Sequence, residues 1–441
     1  MANKTHASAS PGSVSAEHDR KLGPFFLMPG ISRINGTSYF LTAMIAVPMM
    51  AALGFLQPMI LRLVGVDRAV QGTLSGDLIF YQEVLVLILT PFIGAAADKV
   101  GRRPLVMLGL ALLGVGYALY PFADSVFAMY AYRTIFGFGV ATVATSIVIV
   151  NMDYVQDRSR GKWVALASLT QGIGILIVTQ LLRWLPAQLA ADGISEALIA
   201  RYLFWGCTGA CITVFLIATT GLSRSKPVEA RERDSIMVLV RAGLAAARQN
   251  NRIALSYATA FAARGDVLVV GTFSFLWTQQ AAEDLGLGVA AGYQRGGMIM
   301  GVIQGSALLF ALVMGFILDK IDRVTGVIIA FTLAAIGYTA FGLVDDPFSG
   351  KIFLPAVLLG LGETSTIIAG NALIGQNAPA ALRGAVLGNF ALCGALGILV
   401  ATSLGGRLFD LWMPGGPFVQ MGVINALVLA GAFYVRFRRQ A

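Results

Sequence analysis

Six charged side chains interrupt stretches that are otherwise apolar, and the chemistry of this chain has to be sought in them. Arg264 and Asp266 stand two residues apart in the run 252–277, and Glu363 follows Gly360-Leu361-Gly362 in the run 352–376. Glu83 shares the run 74–97 with Asp77, Tyr81 and Gln82, and Arg133 lies in 126–150. A charged group at the centre of a bilayer costs about 2.5–3.5 kcal/mol, so it faces a cavity or a partner. Arg264 is about 18 Å along a helix from the start of its run, which is mid-membrane. A guanidinium there can grip a carboxylate or phosphate through two parallel hydrogen bonds. A carboxyl at the same depth can take up and release a proton, which makes Glu363, Glu83 and Asp266 the candidates for proton coupling. Residues two apart point to different sides of a helix, so Asp266 is no simple partner of Arg264 unless Gly265 loosens the backbone. Asp77, near one end of its run, reads as an interfacial cap.

Other chemistries are poorly supplied. The two histidines, His6 and His18, lie outside every apolar run, so no span contains a histidine relay, a histidine general base or a His-based metal site. Cys207 and Cys211, four apart on one helix, cannot bridge each other, and with Cys393 they read as small apolar fillers. No phosphate-cradling loop is present to drive pumping with ATP. The expectation is a non-enzyme without cofactor or metal, powered by a gradient or facilitating diffusion.

The elements that must position these residues are membrane helices. Hydrophobic residues make up 57% of the 441, charged ones 12%, and the mean hydropathy is +0.75. Soluble chains average about 25% charged. Twelve apolar runs, from 39–61 to 418–436, each reach the roughly 20 residues that a spanning helix needs. The reading is an all-α integral membrane protein: residues 1–37 a disordered cytoplasmic tail, 38–222 a six-helix bundle, 223–251 a linker with a short amphipathic helix resting on lipid headgroups, 252–437 a second six-helix bundle, and 438–441 a tail. With the N-terminus inside, 23 of the 32 Lys and Arg residues fall in cytoplasmic segments, which puts both termini in the cytoplasm and the protein in the plasma membrane. The same asymmetry accounts for the net charge of +9 without nucleic acid. The expected partners are the lipid bilayer, a small-molecule substrate and protons, and the expected state is a monomer.

The two bundles read as copies of one another. Gly94-Ala-Ala-Ala-Asp98-Lys99-Val-Gly101-Arg102-Arg103 returns as Gly315-Phe-Ile-Leu-Asp319-Lys320-Ile-Asp322-Arg323, with the two aspartates 221 residues apart (98 to 319). Gly137-Phe138-Gly139 matches Gly360-Leu361-Gly362, and Arg160-Gly161 matches Arg383-Gly384, each 223 residues on. Three pairs in nearly one register indicate a duplicated half-chain with a site between the halves. The phrase 94–103 resembles the loop between helices 2 and 3 of the major facilitator superfamily, and every position of that pattern is filled. Arg133-Thr-Ile-Phe-Gly137-Phe-Gly139 resembles the family's helix 4 motif, and Asp153 to Gly161 its loop between helices 4 and 5.

The resemblance implies a twelve-helix, two-bundle, alternating-access transporter whose helices 1, 4, 7 and 10 line a central cavity. It places Arg264 and Glu363 on facing cavity helices, as an ion pair or as a proton switch that frees Arg264 for an anion. It gives Arg133 a part in proton transfer or substrate charge recognition. Gly94, Asp98, Lys99, Gly101, Arg102, Arg103 and Asp153, with Asp319, Lys320 and Arg323, become a conformational latch in which Asp98 meets the helix 11 start near Ala385 and Arg102 reaches Asp153. Tyr257, Phe261, Asn371, Gln171 and Tyr39 are further substrate-contact candidates beside Arg264, Arg133 and Glu363. The expected function is proton-coupled transport of a small anionic or zwitterionic metabolite. Drug–proton antiport is the runner-up, weakened because Gln171-Gly172-Ile-Gly174 lacks the proline and later glycines of the antiporters' helix 5 motif. A receptor or scaffold that kept the fold without transporting is the reading from another class.

Overall fold

The structure is a computed structural model, and it describes residues 21–224 and 236–438. Six helices come first: α1 Arg33–Val64, α2 Gln71–Val100, α3 Arg102–Leu119, α4 Val126–Asp153, α5 Asp157–Ala191 and α6 Glu196–Gly221. The short α7, Ile236–Gln249, precedes six more: α8 Asn251–Asp284, α9 Val289–Lys320, α10 Arg323–Gly342, α11 Phe353–Asn377, α12 Arg383–Leu411 and α13 Gly416–Phe437. Among the described residues twelve helices are long and apolar enough to cross a membrane. An even number of spans puts Lys21, α7 and Arg438 at one end of the bundle, called here the terminal end.

The duplication read from the sequence is built into the packing. A Cβ on Gly139 would meet the Leu113 backbone nitrogen of α3 at 2.7 Å, and one on Gly362 would meet the Ala334 backbone nitrogen of α10 at 2.6 Å. Each glycine thus lets its helix pass against the preceding helix of its own half at the same register. The charged loops repeat as well. Arg102 pairs with Asp98 at 3.7 Å and donates to the Ala97 carbonyl, and Arg323 pairs with Asp319 at 4.0 Å and donates to the Leu318 carbonyl. The copies part where glycine is required: Gly101 has φ +100°, a region that side chains avoid, whereas Asp322 has φ −61° and caps α10 by accepting from Val324 N at 3.1 Å.

Two segments are more ordered than the sequence suggests. The tail was expected to run to residue 37, but from Lys21 the described chain forms a hairpin of β1 Lys21–Leu22 and β2 Phe25–Phe26, and α1 starts at Arg33. Phe25 lies edge-on to Trp163 at 5.4 Å, Phe26 N donates to Ser159 Oγ and Met28 N to the Tyr154 carbonyl, so a short apolar run too brief to span a membrane is fixed to the end of α4 and the first turns of α5 instead. Residues 1–20, the rest of the expected tail, lie outside the described residues, as do 225–235 of the linker. The linker helix α7 is more than a headgroup tether, because its Gly243 and Ala246 are buried against the second half. Asn389 of α12 donates to the Leu239 carbonyl at 3.3 Å, and the Tyr257 hydroxyl of α8 donates to the Gly243 carbonyl at 3.1 Å.

Candidate functional site

The halves are closed on each other at the end opposite the termini. Arg62 of α1 pairs with Glu283 of α8, and Arg68 bonds Asp284 through its second nitrogen at 2.6 Å. Arg407 of α12 reaches Asp77 of α2 at 2.9 Å. Asp410, near the end of α12, accepts from Gly72 N at 2.9 Å and Thr73 N at 2.6 Å, so a carboxylate sits on the first turn of α2, where free amides and the helix dipole favour an anion. Gly76 allows the closest approach, since a Cβ there would lie 2.2 Å from the Thr402 carbonyl oxygen. At the terminal end the ion pairs seen among the described residues run within each half, for example Arg102 to Asp153 at 2.8 Å in the first and Arg252 to Asp322 at 3.1 Å in the second. The expected reach of Arg102 to Asp153 is therefore present. Asp98 bonds within its own loop, and Ala385, its expected docking point, is buried with α7 lying against its carbonyl.

Beneath the closed end lies a small cavity between the halves, about 70 Å³, lined from α1, α2, α4 and α5 on one side and α8 and α9 on the other. Its polar wall is Arg133, Gln82, Thr272 and Gln304. Arg133 is 2% exposed, and its Nη1 donates to Gln57 Oε1 at 2.9 Å. Its Nε has no partner among the described residues, nor have Gln57 Nε2 and Gln82 Oε1. No described carboxylate comes within ion-pair range of Arg133. A buried cation without a counter-charge, beside unsatisfied amides, is an arrangement that an anion completes.

Arg264 continues this surface. Val267, Leu268 and Gly271 of α8 line the cavity, and Arg264 precedes them by one turn on the same stripe, about 5 Å closer to the terminal end. It is exposed, its stem passes over Gly394 of α12, and it makes no ion pair among the described residues. The expected Arg264–Glu363 pair is absent among the described residues; Arg264 instead lies within electrostatic reach of Glu83, on α2 of the other half, without pairing with it.

The acids of the second half form a separate group. Asp266 is fully buried and accepts from Asn425 Nδ2 of α13 at 3.0 Å. Glu363 of α11 is 5% exposed, its Oε2 has no partner among the described residues, and both acids lie within electrostatic reach of the buried Tyr338 hydroxyl of α10. The two-residue spacing from Arg264 already points Asp266 away from the cavity; the contact with α13 is the outcome.

The remaining candidates separate. Tyr39 is 1% exposed and stacked on Trp163 at 5.6 Å, and Tyr257 is buried under α7, so both serve packing. Phe261 and Gln171 are half-buried and Asn371 is exposed. Sequence reading missed Gln304 altogether and treated Gln82 only as a neighbour of Glu83. An uncharged amide in an apolar helix carries a weak sequence signal, since it costs far less to bury than a charge.

Comparison with known proteins agrees with this architecture. Magnetosome protein MamH of Paramagnetospirillum magneticum strain AMB-1 is 26% identical over 409 residues, which are 91% of this chain and 92% of that protein. Magnetosome protein MamZ of the same organism is 23% identical over 395 residues, 86% of this chain and 59% of MamZ, so the chain spans about three fifths of that relative. The nucleoside transporter NupG has the same fold, with a TM-score of 0.68 at 14% identity over 92% of this chain and 98% of NupG. A sequence profile described as Major Facilitator Superfamily matches residues 34–354 and again 266–441. With two bundles of six helices, repeated loops and a polar cavity between the halves, the chain belongs to the Major Facilitator Superfamily of membrane transporters.

Proposed function

We propose that this protein is a secondary transporter of a small anionic or zwitterionic solute, coupled to protons. The observation that carries the reading is Arg133, buried between the halves without a carboxylate partner among the described residues. The cavity has the volume of two or three liquid waters, enough for one anionic head in this state. The body of the solute then lies along α8 toward Arg264, which gives the carrier two cations in series. Glu363 and Asp266 are the proton carriers in this reading: an unpaired carboxylate is costly to bury, and a proton removes that cost without needing space. Glu83 across from Arg264 supplies the charge that Arg264 faces when solute is absent.

The concentration of Lys and Arg at the terminal end makes that end cytoplasmic. The state described here is then closed to the outside. We assign the protein to the plasma membrane; the names MamH and MamZ attach those relatives to magnetosomes, and a fluorescent fusion that outlines internal bodies instead of the cell envelope overturns the assignment.

The test is flux into proteoliposomes under an imposed pH gradient, with a panel of anionic, zwitterionic, neutral and cationic solutes preselected by thermal shift. An anion or zwitterion should accumulate in wild type. Losing one hydrogen-bonded charge contact costs about 1.5–3 kcal/mol, so Arg133→Ala should raise the apparent KM about 10- to 150-fold, with Arg264→Lys weaker in the same direction. Transport of cationic drugs by a wild type inert to every anion would place the protein among drug antiporters and end this reading.

A further inference from the structure

A second cavity, larger than the one between the halves, opens elsewhere on the described residues. It lies on the flank of the first half, at the terminal-end tips of α3 and α6, and has a volume of about 620 Å³. Its mouth is built from Gly101, Arg102, Arg103 and Arg224, and its wall from Pro104, Leu108 and Phe215 among other apolar residues. Three features of the mouth suit an anion. The first turn of α3, at the mouth, has no side-chain cap, and the leading amides of a helix have no partner within it. Arg103 donates to the Thr219 carbonyl of α6 yet keeps a buried Nε without a partner, and it makes no ion pair among the described residues. Arg224 is exposed and also makes none among them. Arg102, by contrast, is occupied by Asp98 and Asp153.

The wall excludes a simple phosphate site. Pro104, Leu108 and Ala111 are exposed at helical spacing along α3, and they continue the groove into the apolar belt of the bundle. A ligand that fills both parts has an anionic head at the water boundary and a hydrocarbon chain in the bilayer. We propose that this groove binds an anionic glycerophospholipid of the terminal-side leaflet, with the phosphate on Arg103, Arg224 and the α3 amides and an acyl chain along Leu108 and Phe215. Basic recesses between helices on the cytoplasmic side are the usual form of such sites. Because Gly101 and Arg102 belong to both the mouth and the latch loop, a bound lipid touches the segment that has to move during the cycle.

The experiment is native mass spectrometry of the purified full chain with added phosphatidylglycerol, phosphatidylcholine or inorganic phosphate. Each basic residue near an anionic headgroup contributes about fivefold, so wild type should retain phosphatidylglycerol about 30-fold over phosphatidylcholine. The double variant Arg103→Ala/Arg224→Ala should lose that preference. Ala111→Trp, which fills the groove and leaves both arginines, should reduce phosphatidylglycerol retention without creating a phosphate site. If the double variant does not fold, Arg224→Ala alone serves, since this exposed side chain makes no bond among the described residues, and it should lower the preference about fivefold. Equal retention of the two lipids by wild type, or an unchanged preference in folded Arg224→Ala, overturns the proposal. Competition by inorganic phosphate with no effect of Ala111→Trp would make this an anion site and overturn the lipid assignment too.

Discussion

Removing the Asp410 carboxylate should open the closed end of the transporter more than removing any other single charge there. Asp410 accepts two backbone amides on the first turn of α2, at 2.9 and 2.6 Å, and is half-buried. A hydrogen bond to a charged group is worth about 1.5–3 kcal/mol when it cannot be replaced, and the helix terminus adds about 0.3–1 kcal/mol. Once the halves part, water takes over both partners, so the net contribution to the closed state is about 1–2 kcal/mol. Asp77–Arg407 is weaker, because the two side chains are 34% and 45% exposed and such pairs are worth at most about 1 kcal/mol. Asp410→Ala should therefore shift the equilibrium toward the open form about 5- to 30-fold, and Asp77→Asn by less.

The readout is a single cysteine at Thr272, which lines the central cavity and is 3% exposed, in a background with Cys207, Cys211 and Cys393 replaced. Its modification rate by a membrane-impermeant thiol reagent added opposite the termini should rise by the factor given, while the rate from the terminal side does not increase. An unchanged rate in Asp410→Ala, with normal thermal stability, would show that the carboxylate on α2 does not hold the halves together.

Two further outcomes are expected. Asp98→Asn should slow transport at least about tenfold with near-normal surface expression, because its partly exposed pair with Arg102 at 3.7 Å adds little to folding; a matching fall in expression would make the loop structural. Glu363→Gln should abolish accumulation against a gradient while counterflow exchange persists, and loss of both activities would remove Glu363 from coupling and assign it to binding or packing.

How much of this was legible in the sequence depended on the kind of signal. The duplication was, because a loop such as Gly94–Arg103 is fixed by local requirements: a glycine at φ +100° and an Asp–Arg link four residues apart. Arg133 was legible as a cost, since a guanidinium in an apolar helix needs a reason. What it faces was not, because Gln57, Gln82 and Gln304 come from three other helices and no local pattern records a meeting of helices. The Arg264–Glu363 pairing failed for a related reason. Which helices line the cavity says little about rotation, and Gly394 admits the Arg264 stem over α12, so its charge comes within reach of α2 instead. The same limit hid the docking of α7: a face of Gly243 and Ala246 is too weakly apolar to announce a protein partner, and only the buried Asn389 amide opposite explains why small residues stand there.

The two ends of the molecule can be compared through one pair of helices. In this state α2 receives a carboxylate from α12, with Asp410 on the α2 N-terminus. The family resemblance gives the reverse exchange for the other state, with Asp98 from the end of α2 on the start of α12 near Ala385. Each helix would then offer its N-terminus in one state and an acid near its C-terminus in the other, so each state gains a comparable anion–dipole contact as the other is lost. Such compensation keeps the two states within a few kcal/mol, as a carrier that must visit both requires. It also explains why the α12 start is free of Asp98 here. Asp98 stays with Arg102, and Ala385 is covered by α7, so leaving this state costs the α7 contacts at Ala385 and Asn389 as well as those of Asp410.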